Sequence, residues 1–283
     1  MKVDLHIHTC ASDGTWTPAE VVEEVRKNGI QLFAVTDHDT LDSIAETRLL
    51  IAETELFFLP GVEISSTYQG DLYHILAYGV DTNNPRLREL LDTNTRLMNK
   101  KDDESIRMLL EQGYKVDFEK YLQYEYDRRK GGWKALNYLV DTGVCKDTAE
   151  FFNSLFTELN NLSFPTFASP EEVFAIIEEA GGISVIAHPG LNLYGKYQPE
   201  ELLRIFVQLG LQGVEAFHPQ HDVKMSRICY EFAEKQGLQI TSGSDCHGGF
   251  VPYRRLGLPA TRLHQLKIDK ILQKMDWEFL KKP

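Results

Sequence analysis

The sequence predicts an α/β fold, because apolar strand-like runs alternate with amphipathic helical segments along most of the chain. Residues able to bind metal recur where these strands end, which is typical of the active-site mouth of a (β/α) barrel. With 283 residues and 42% hydrophobic content, the chain is long enough for one large domain or a domain with an insertion. The seven strand candidates favour a barrel of about that number, with an open sheet as the alternative.

The first half of the chain begins with the strand-like run VDLHIHT, followed by the helical segment TPAEVVEEVRKNG. Thr17 and Glu20 have the spacing of a capping box, and Gly29 marks the end of this helix. The run QLFAVTDHD predicts a second strand, and LFFLPGVEISS and DLYHILAYGVD predict two more.

The second half repeats this alternation, with a helix before each apolar strand. The predicted helices are SPEEVFAIIEEAGG, QPEELLRIFVQLG and MSRICYEFAEKQG, and the predicted strands are GISVIAHPG, GVEAFHP and LQITSGSDCHG. Buried parallel strands are nearly continuous apolar runs, so GISVIAHPG favours a parallel sheet.

Residues 86–165 interrupt the alternation with charged helical patterns and no convincing strand. We therefore predict three segments. Residues 1–85 form the first part of the barrel, residues 86–165 form a helical insertion that caps its mouth, and residues 166–283 form the second part of the barrel.

The chain carries a formal net charge of −12, and its sequence pI is about 5.2. It therefore lacks the general basic surface that binding to duplex nucleic acid requires, although a local basic pocket could still hold phosphate. No apolar run approaches membrane-spanning length, and the first residues do not have the pattern of a secretion signal. We expect a cytoplasmic protein with no membrane partner. The sequence does not predict its oligomeric state.

Two imidazoles near the N-terminus give the first indication of chemistry. His6 and His8 are two residues apart, and side chains on a strand repeat every two residues, so both rings face the same side. Two ring nitrogens that converge from one short strand favour a metal ion. A single histidine would more often be structural, so the prediction depends on further residues.

Further histidines and carboxylates fall on or just beyond the other predicted strands. Imidazole and carboxylate ligands suit Zn, Mn or Fe, and their number exceeds one tetrahedral site, which predicts two or three clustered ions. Such clusters usually serve hydrolysis. No GxSxG, GxxxxGK[ST] or GxGxxG motif offers another chemistry. The residues concerned are His6, His8, Asp13, His38, Glu63, His74, His188, His218, Asp245 and His247.

The motifs DLHIHTCASDG, TDHD, PGVEIS, YHILAYG, AHPG and SDCHG, in this order, resemble those of the PHP family, named for polymerase and histidinol phosphatase. The motifs span nearly the whole chain. The resemblance implies a distorted (β/α)7 barrel with a trinuclear metal centre at the carboxyl ends of its strands. It also implies hydrolysis of phosphoesters.

The resemblance further implies a ligand set for each ion. The first ion would be held by His6, His8, Glu63 and Asp245. The second would be held by Glu63, which bridges the two ions, together with His74 and His188. The third would be held by Asp13, His38 and His247.

Three further acidic residues are predicted to support the ligands rather than to bind metal. Asp37 and Asp39 flank His38 and are expected to orient that ring or neighbouring imidazoles. Glu215 is expected in the barrel interior or behind the metal ligands.

The long helical insertion resembles that of the family branch that acts on nucleotide 3′,5′-bisphosphates and trims the 5′ ends of short RNA. That branch typically carries an Arg-Pro-His stretch where this sequence reads RRKGGWKALNYLV, without the Pro-His. Cationic groups here and after SDCHG are candidates to bind phosphate, because guanidinium groups match its geometry. Trp133 is a candidate to stack on a base. The predicted substrate-binding residues are Arg128, Arg129, Lys134, His218, Arg254 and Arg255.

The functional hypothesis is hydrolysis of a phosphate monoester by in-line attack of a metal-bound hydroxide at the trinuclear centre. Asp245 would act as a catalytic metal ligand, and His218 or a water molecule would protonate the leaving oxygen. The substrate would be a nucleotide 3′,5′-bisphosphate or the 5′ end of a short oligonucleotide. The alternatives are a histidinol-phosphate-type phosphatase and a non-catalytic metal-binding regulatory domain. The third ligand group disfavours an amidohydrolase-type C–N hydrolase.

Overall fold

In a computed structural model, eight strands of the described residues form one sheet that curves into a nearly closed barrel, which confirms the predicted fold class. The structure describes residues 1–157, 162–191 and 196–275. Residues 158–161 of the predicted insertion, and residues 192–195 and 276–283 of the predicted second barrel segment, lie outside the described residues. The strands are Lys2–Asp4 (β1), Leu32–Val35 (β2), Phe57–Tyr68 (β3), Asp71–Tyr78 (β4), Ile183–Ile186 (β5), Gly213–Phe217 (β6), Gln239–Ser242 (β7) and Thr261–Arg262 (β8).

The strands lie in the order β7-β6-β5-β4-β3-β2-β1-β8. Four neighbouring pairs are parallel, as predicted: β1–β2, β2–β3, β5–β6 and β6–β7. The chain after β1 closes the barrel against the end of β7 and the residues beyond it. The Leu5 amide donates to the Ser242 carbonyl (3.0 Å), and the His8 amide donates to the Cys246 carbonyl (2.9 Å). This closure brings the first ligand motif of the chain beside the last.

Strand β4 departs from the predicted parallel arrangement, since it runs antiparallel to both β3 and β5. The connection from β3 to β4 is a tight turn at Gln69 and Gly70, which have positive φ angles of 50° and 87°. So short a turn can join only antiparallel strands, because a parallel crossover needs a dozen or more residues. The expectation that His74 lies at a carboxyl end is therefore wrong. His74 lies in the first half of β4, and the reversal of this strand brings it to the same mouth.

The helices alternate with the strands and end close to the predicted boundaries. The predicted capping box of the first helix is confirmed, because Thr17 Oγ1 accepts from the Glu20 amide (3.3 Å) and Glu20 Oε2 accepts from the Thr17 amide (2.8 Å). No helix in the described part of the chain is long and apolar enough to cross a membrane. The helices are Pro18–Lys27 (α1), Asp42–Ile51 (α2), Pro85–Glu111 (α3), Phe118–Gln123 (α4), Lys134–Asp141 (α5), Thr148–Glu150 (α6), Pro170–Glu179 (α7), Pro199–Leu209 (α8), Val223–Gln236 (α9) and Asp269–Leu272 (α10).

Apolar side chains cover the sheet along its length. Helices α1 and α2 pack Val25 and Ile44 around Phe33 of β2. Helices α7 to α9 cover β4 to β7, where Phe206 lies edge-on to Tyr73 with ring centroids 5.0 Å apart. Because these strands are buried runs of apolar residues, the polar residues that could bind metal are concentrated at the barrel mouth.

The chain between β4 and α7 is helical and holds α3 to α6, with no strand among its described residues. It has an apolar cluster of its own, which includes Ile106, Leu139 and Phe151. It contacts the barrel at the loop after β1, where the Gly132 amide donates to the Asp13 carbonyl (2.8 Å). The division of the chain at residues 85/86 and 165/166 stays a prediction.

Candidate metal centre and active site

The residues predicted to bind metal come together at one mouth of the barrel. Eight of them form three overlapping groups, in each of which the potential ligand atoms lie within 4.8 Å of one another. The ninth, His188, places its Nε2 atom 3.1 Å from Glu63 Oε1. The three groups are His6, His8, Glu63 and Asp245; His8, Asp13, His38 and His247; and His38, Glu63 and His74.

The first group is fully buried and centres on one oxygen of Glu63. Glu63 Oε2 lies 3.0 Å from His6 Nε2 and 3.1 Å from His8 Nε2. Asp245 Oδ1 approaches the same two nitrogens at 3.5 and 3.3 Å. Two imidazole nitrogens and two carboxylate oxygens that converge in this way make a donor set suited to a divalent cation.

The second group lies on the other side of the His8 ring. His8 Nδ1 lies 3.6 Å from Asp13 Oδ1. Asp13 Oδ2 lies 3.3 Å from His247 Nε2 and 4.0 Å from His38 Nε2. The His8 and His247 rings are stacked, with centroids 4.0 Å apart. His8 thus turns one ring nitrogen toward each of the first two groups.

In the third group both oxygens of Glu63 have an imidazole neighbour. His38 Nδ1 lies 3.4 Å from Oε2, and His74 Nδ1 lies 3.2 Å from Oε1. The family resemblance implied that His74 and His188 share Glu63, and both do contact its Oε1 atom. His38 is an additional neighbour, which the resemblance assigned only to the third ion.

Two features of this arrangement fit bound cations. His6 Nδ1 lies 3.0 Å from Glu215 Oε1, and His6 Nε2 faces His8 Nε2 at 3.1 Å. His8 Nδ1 is buried and has no hydrogen-bond partner among the described residues. Two ring nitrogens this close cannot both carry a proton on the facing side, and a divalent cation between them would accept a lone pair from each. The donor set therefore fits divalent ions.

The pKa values of the cluster show how its charge is distributed. Burial raises the pKa of Glu63, but the surrounding imidazoles, His6 foremost, outweigh burial and hold it well below its usual value. Burial also raises the pKa of Asp245, but neighbouring positive groups, His6 foremost, outweigh burial and hold that pKa well below its usual value. Burial lowers the pKa of His38 to about 3. At His8 burial is outweighed by the carboxylates of Asp245 and Glu63, which raise the pKa to about 10. The carboxylates are thus ionised, and protons on His6 and His8, whose pKa values are raised, balance part of their charge; bound divalent cations would take the place of these protons.

Two of the predicted ligands have unusual backbone conformations. His188 and Asp245 have φ angles of +30° and +51°, in the left-handed region that residues other than glycine seldom adopt. Each residue follows the end of a strand, β5 or β7, where the chain turns away from the sheet. Such backbone strain concentrates at functional sites.

Glu215 lies behind the ligands, as the sequence predicts. It is fully buried on β6, and its Oε1 atom accepts the proton of His6 Nδ1. Its Oε2 atom accepts from the His188 amide (2.8 Å). Glu215 thereby fixes the ring of one candidate ligand and the backbone of another.

Asp37 and Asp39 support the site through hydrogen bonds from backbone amides and polar side chains rather than from imidazoles. Asp37 Oδ1 accepts from the Thr9 amide (2.6 Å) and from Ser12 Oγ (2.8 Å), so it anchors the loop that leads to Asp13. Asp39 Oδ1 accepts from the Ser65 amide (3.1 Å) and from Nδ2 of Asn94 on α3 (2.7 Å). The predicted orientation of imidazoles by these carboxylates is therefore indirect.

A cavity of about 400 Å³ opens between these ligands and the helical segment that lies between β4 and α7. This volume is in the range of small-molecule sites. Among the described residues that line it, Arg128 is the only lysine or arginine, while Asp39, Asp42 and Asp92 are acidic. The ligands that reach the cavity are Asp13, His38 and His74, and its aromatic wall consists of Tyr126, Trp133, Phe164 and Phe167.

The three cationic side chains that were predicted to bind substrate from the insertion lie in different places in the structure. Arg128 lines the cavity, and its Nη1 atom donates to the Ala11 carbonyl (3.2 Å). Arg129 Nη2 instead lies 2.6 Å from Glu20 Oε1, outside the cavity lining. Lys134 is also outside the lining, with its Nζ atom 4.6 Å from the centroid of the Tyr121 ring. Of the three, only Arg128 is placed to contact a ligand in this cavity.

The remaining predicted substrate contacts lie on the far side of Asp245. His218 Nε2 is 3.2 Å from Asp245 Oδ2, and Arg254 Nη1 donates to the same oxygen. The side chain of His218 is fully buried and does not line the cavity, so it does not face a leaving group there. Arg255 is exposed and also lies outside the cavity lining.

Residues 4–167 match the family model of the PHP domain. The chain belongs to the PHP domain family. The resemblance inferred from the motifs is thereby confirmed. Alignments with three curated relatives cover most of the chain.

The chain is 29% identical over 274 residues to a phosphoribosyl 1,2-cyclic phosphate 1,2-diphosphodiesterase of Eggerthella lenta, which covers 92% of this chain and 100% of the relative. It is 30% identical over 248 residues to a 3′,5′-nucleoside bisphosphate phosphatase of Chromobacterium violaceum, which covers 87% of each chain. It is 28% identical over 269 residues to the 5′-3′ exoribonuclease Rnm of Escherichia coli, which covers 91% of this chain and 90% of the relative.

A solved structure agrees with these relatives. A protein of Bifidobacterium adolescentis described as a candidate metal-dependent phosphoesterase is 28% identical, with a TM-score of 0.82 and coverage of 96% of both chains. This PHP protein is therefore a metal-dependent phosphoesterase, a hydrolase, as the sequence predicts. Its clustered imidazoles and carboxylates are the groups that this metal dependence requires.

Several residues that shape the PHP cavity gave no signal that we recognised in the sequence. Asp92, Thr95 and Asn99 form one face of α3 and line the cavity, but polar residues on a helix usually face solvent. Their i, i+3, i+7 spacing is the signal that could have found them. Tyr126 and Phe164 reach the cavity because the helical segment folds back over the mouth, which no local pattern indicates.

Proposed function

We propose that the protein hydrolyses a phosphate ester of a nucleoside 3′,5′-bisphosphate or of the 5′ end of a short oligonucleotide. The cavity carries this proposal, because it joins candidate metal ligands to one guanidinium group and an aromatic wall. The relatives named as a nucleoside bisphosphate phosphatase and as a 5′-3′ exoribonuclease support the same substrate class. The two substrates are chemically related, because the first nucleotide of a 5′-phosphorylated RNA also carries phosphate on both its 5′ and 3′ oxygens.

We further propose that two or three divalent ions, Mn, Zn or Fe, are held by the nine predicted ligands. Imidazole nitrogens and carboxylate oxygens suit these metals. Bound divalent ions lower the pKa of water and neutralise charge on a transferring phosphoryl group.

The protein's own part is to hold these groups in place. Glu63 is suited to bridge two ions, because its Oε2 atom faces His6 and His8 while its Oε1 atom faces His74. Glu215 keeps the proton of His6 on Nδ1 and leaves Nε2 free to bind metal. Because these groups are buried and hydrogen-bonded, they need little rearrangement when substrate binds.

Substrate contacts beyond the metal centre come from the helical segment. Arg128 is assigned to the phosphate that is not hydrolysed, since guanidinium pairs with phosphate through two parallel hydrogen bonds. The rings of Trp133 and Phe164 are assigned to a base, which stacks on aromatic side chains. Protonation of the leaving oxygen is assigned to water, because His218 is buried against Asp245. We place the activity in the cytoplasm, where nucleotides are made and degraded.

An assay that measures the hydrolysis products of several phosphate esters, with purified protein and added Mn, tests the proposal. The substrates are adenosine 3′,5′-bisphosphate, a 5′-phosphorylated RNA trinucleotide, a ribose 1,2-cyclic phosphate, histidinol phosphate and an aryl phosphate. We expect kcat/KM for one or both of the first two to exceed the others by about tenfold or more. A preference for histidinol phosphate or for the cyclic phosphate would refute the substrate assignment. Turnover of none of them would favour the non-catalytic alternative.

Two histidine variants provide the control. His8→Ala removes a ligand shared by two of the groups and should abolish turnover and metal binding together. His264→Ala removes an exposed histidine outside the three groups and should leave both unchanged.

A further inference from the structure

The two oxygens of Asp245 face different surroundings. Oδ1 lies 3.5 Å from His6 Nε2 and 3.3 Å from His8 Nε2, so it faces the candidate metal ligands. Oδ2 lies 3.2 Å from His218 Nε2 and accepts a hydrogen bond from Arg254 Nη1. One oxygen is thus available to a metal ion while the other is held by two side chains outside the three ligand groups.

These two side chains are connected to each other through Gln220. The Gln220 amide donates to His218 Nδ1 (3.2 Å), and Gln220 Oε1 accepts from Arg254 Nη2 (2.7 Å). Because His218 Nδ1 accepts, the proton of the neutral ring is on Nε2 and points at Asp245. Asp245, His218, Gln220 and Arg254 therefore form a closed ring of hydrogen bonds, which we call the Asp245 ring. It joins the loop after β6 to the loop after β7.

We propose that the Asp245 ring sets the orientation of Asp245 and thereby the affinity of the metal centre, with His218 and Arg254 as positioning residues. The proposal rests on the metal-binding role proposed for Asp245. It replaces the substrate-binding role that the sequence predicted for both residues and the proton-donor role predicted for His218.

The engagement of Arg254 favours this role over a phosphate clamp. Both of its terminal nitrogens already have acceptors, Asp245 Oδ2 and Gln220 Oε1. The third nitrogen, Nε, is buried, and Arg254 does not line the cavity. The ring holds this guanidinium group at Asp245, away from a phosphate bound in the cavity.

The effect on metal binding follows from the freedom of a carboxylate to rotate. Asp245 sits on a left-handed backbone (φ +51°), and two donors on Oδ2 keep Oδ1 turned toward His6 and His8. Without them the carboxylate turns among several orientations, of which few direct an oxygen at the metal. Loss of such outer hydrogen bonds to a metal ligand typically weakens metal binding by about 10–100-fold.

The test is a calorimetric titration of chelator-treated full-length protein with Mn²⁺, combined with kcat and KM of the metal-loaded protein on adenosine 3′,5′-bisphosphate. Arg254→Ala should weaken Mn²⁺ binding by about 10–100-fold. Gln220→Ala should weaken it in the same direction by about threefold or more, although Gln220 is exposed and contacts no candidate ligand other than through the ring. KM should stay unchanged in both at saturating Mn²⁺. Arg227→Ala, which removes an exposed guanidinium on α9, is the control, and its Mn²⁺ affinity should equal that of the wild-type protein.

Two further variants identify the ring as a unit. His218→Gln keeps a donor for Asp245 and should retain more Mn²⁺ affinity than His218→Ala. The double variant Gln220→Ala/Arg254→Ala should bind Mn²⁺ as Arg254→Ala does, because residues that act together are not additive.

Two results would overturn the proposal. One is unchanged Mn²⁺ affinity in both Arg254→Ala and Gln220→Ala. The other is a KM that rises about tenfold in Arg254→Ala with Mn²⁺ affinity unchanged, which would assign this guanidinium to substrate phosphate. If Arg254→Ala does not fold, the exposed Gln220→Ala variant decides. If no substrate is turned over, the proposed function fails, but the titration still decides the role of the ring.

Discussion

Replacing Arg128 with alanine should raise the KM for a nucleoside 3′,5′-bisphosphate and leave kcat nearly unchanged. Arg128 lines the cavity, and its Nη1 atom donates a hydrogen bond to the Ala11 carbonyl. This guanidinium is the only cationic lysine or arginine group among the described residues of the cavity wall. It is therefore the group best placed to hold a second phosphate away from the metal ligands.

The magnitude follows from the exposure of Arg128. A hydrogen bond to a charged group contributes about 1.5–3 kcal/mol where both partners are buried. Arg128 is exposed, so solvent screening reduces this to about 1–2 kcal/mol. Since about 1.4 kcal/mol corresponds to a factor of ten, KM should rise by about 5–30-fold. The lost contact is equal in the ground and transition states, so kcat is affected little.

The assay compares adenosine 3′,5′-bisphosphate with adenosine 3′-monophosphate, which lacks the second phosphate. Arg128→Ala should raise KM for the bisphosphate only. Arg129→Ala is the matched control, because it removes the neighbouring guanidinium, which pairs with Glu20 outside the cavity. Equal effects of the two substitutions, or an equal effect of Arg128→Ala on both substrates, would refute the reasoning.

Three further predictions concern stability and support of the site. Burial raises the pKa of Asp102 in α3 to about 7, so the folded protein binds its proton more tightly than the unfolded chain and stability falls as pH rises from about 4 to 7. Asp102→Asn should therefore raise the free energy of unfolding in urea by about 2–4 kcal/mol at pH 8 and change it little at pH 4, and equal effects would contradict this. Gly131→Ala should destabilise the protein and raise KM more than Gly143→Ala, because both glycines have positive φ (74° and 72°) but only at Gly131 would a Cβ lie 2.5 Å from Phe250 Cβ. The melting temperatures and KM values of the two variants test this. Equal losses of stability would mean that the contact with Phe250 adds nothing to the backbone strain that both positions share. Glu215→Gln should weaken Mn²⁺ binding by about 10–100-fold in calorimetry, since both oxygens of Glu215 accept from donors and an amide offers only one acceptor; unchanged affinity would remove its supporting role.

The sequence by itself indicated which imidazole and carboxylate groups come together at the barrel mouth. The alternation of His6 and His8 with apolar residues placed both rings on one side, since side-chain direction on an extended chain depends only on local periodicity. The same local information identified the capping box at Thr17 and most of the parallel strands. It also identified the residues that meet at the mouth, because parallel strands end at a common edge.

Only the tertiary structure decided how those groups are oriented and which partners the nearby arginine side chains contact. His74 reaches the mouth because a tight turn reverses β4, and a period-two pattern is the same whichever way a strand runs. Arg128 and Arg129 are adjacent and chemically identical, yet one lines the cavity and the other pairs with Glu20. Arg254 lies against Asp245 rather than a substrate site. These outcomes depend on contacts between residues far apart in the chain, which form only when the barrel closes and the helical segment packs over its mouth.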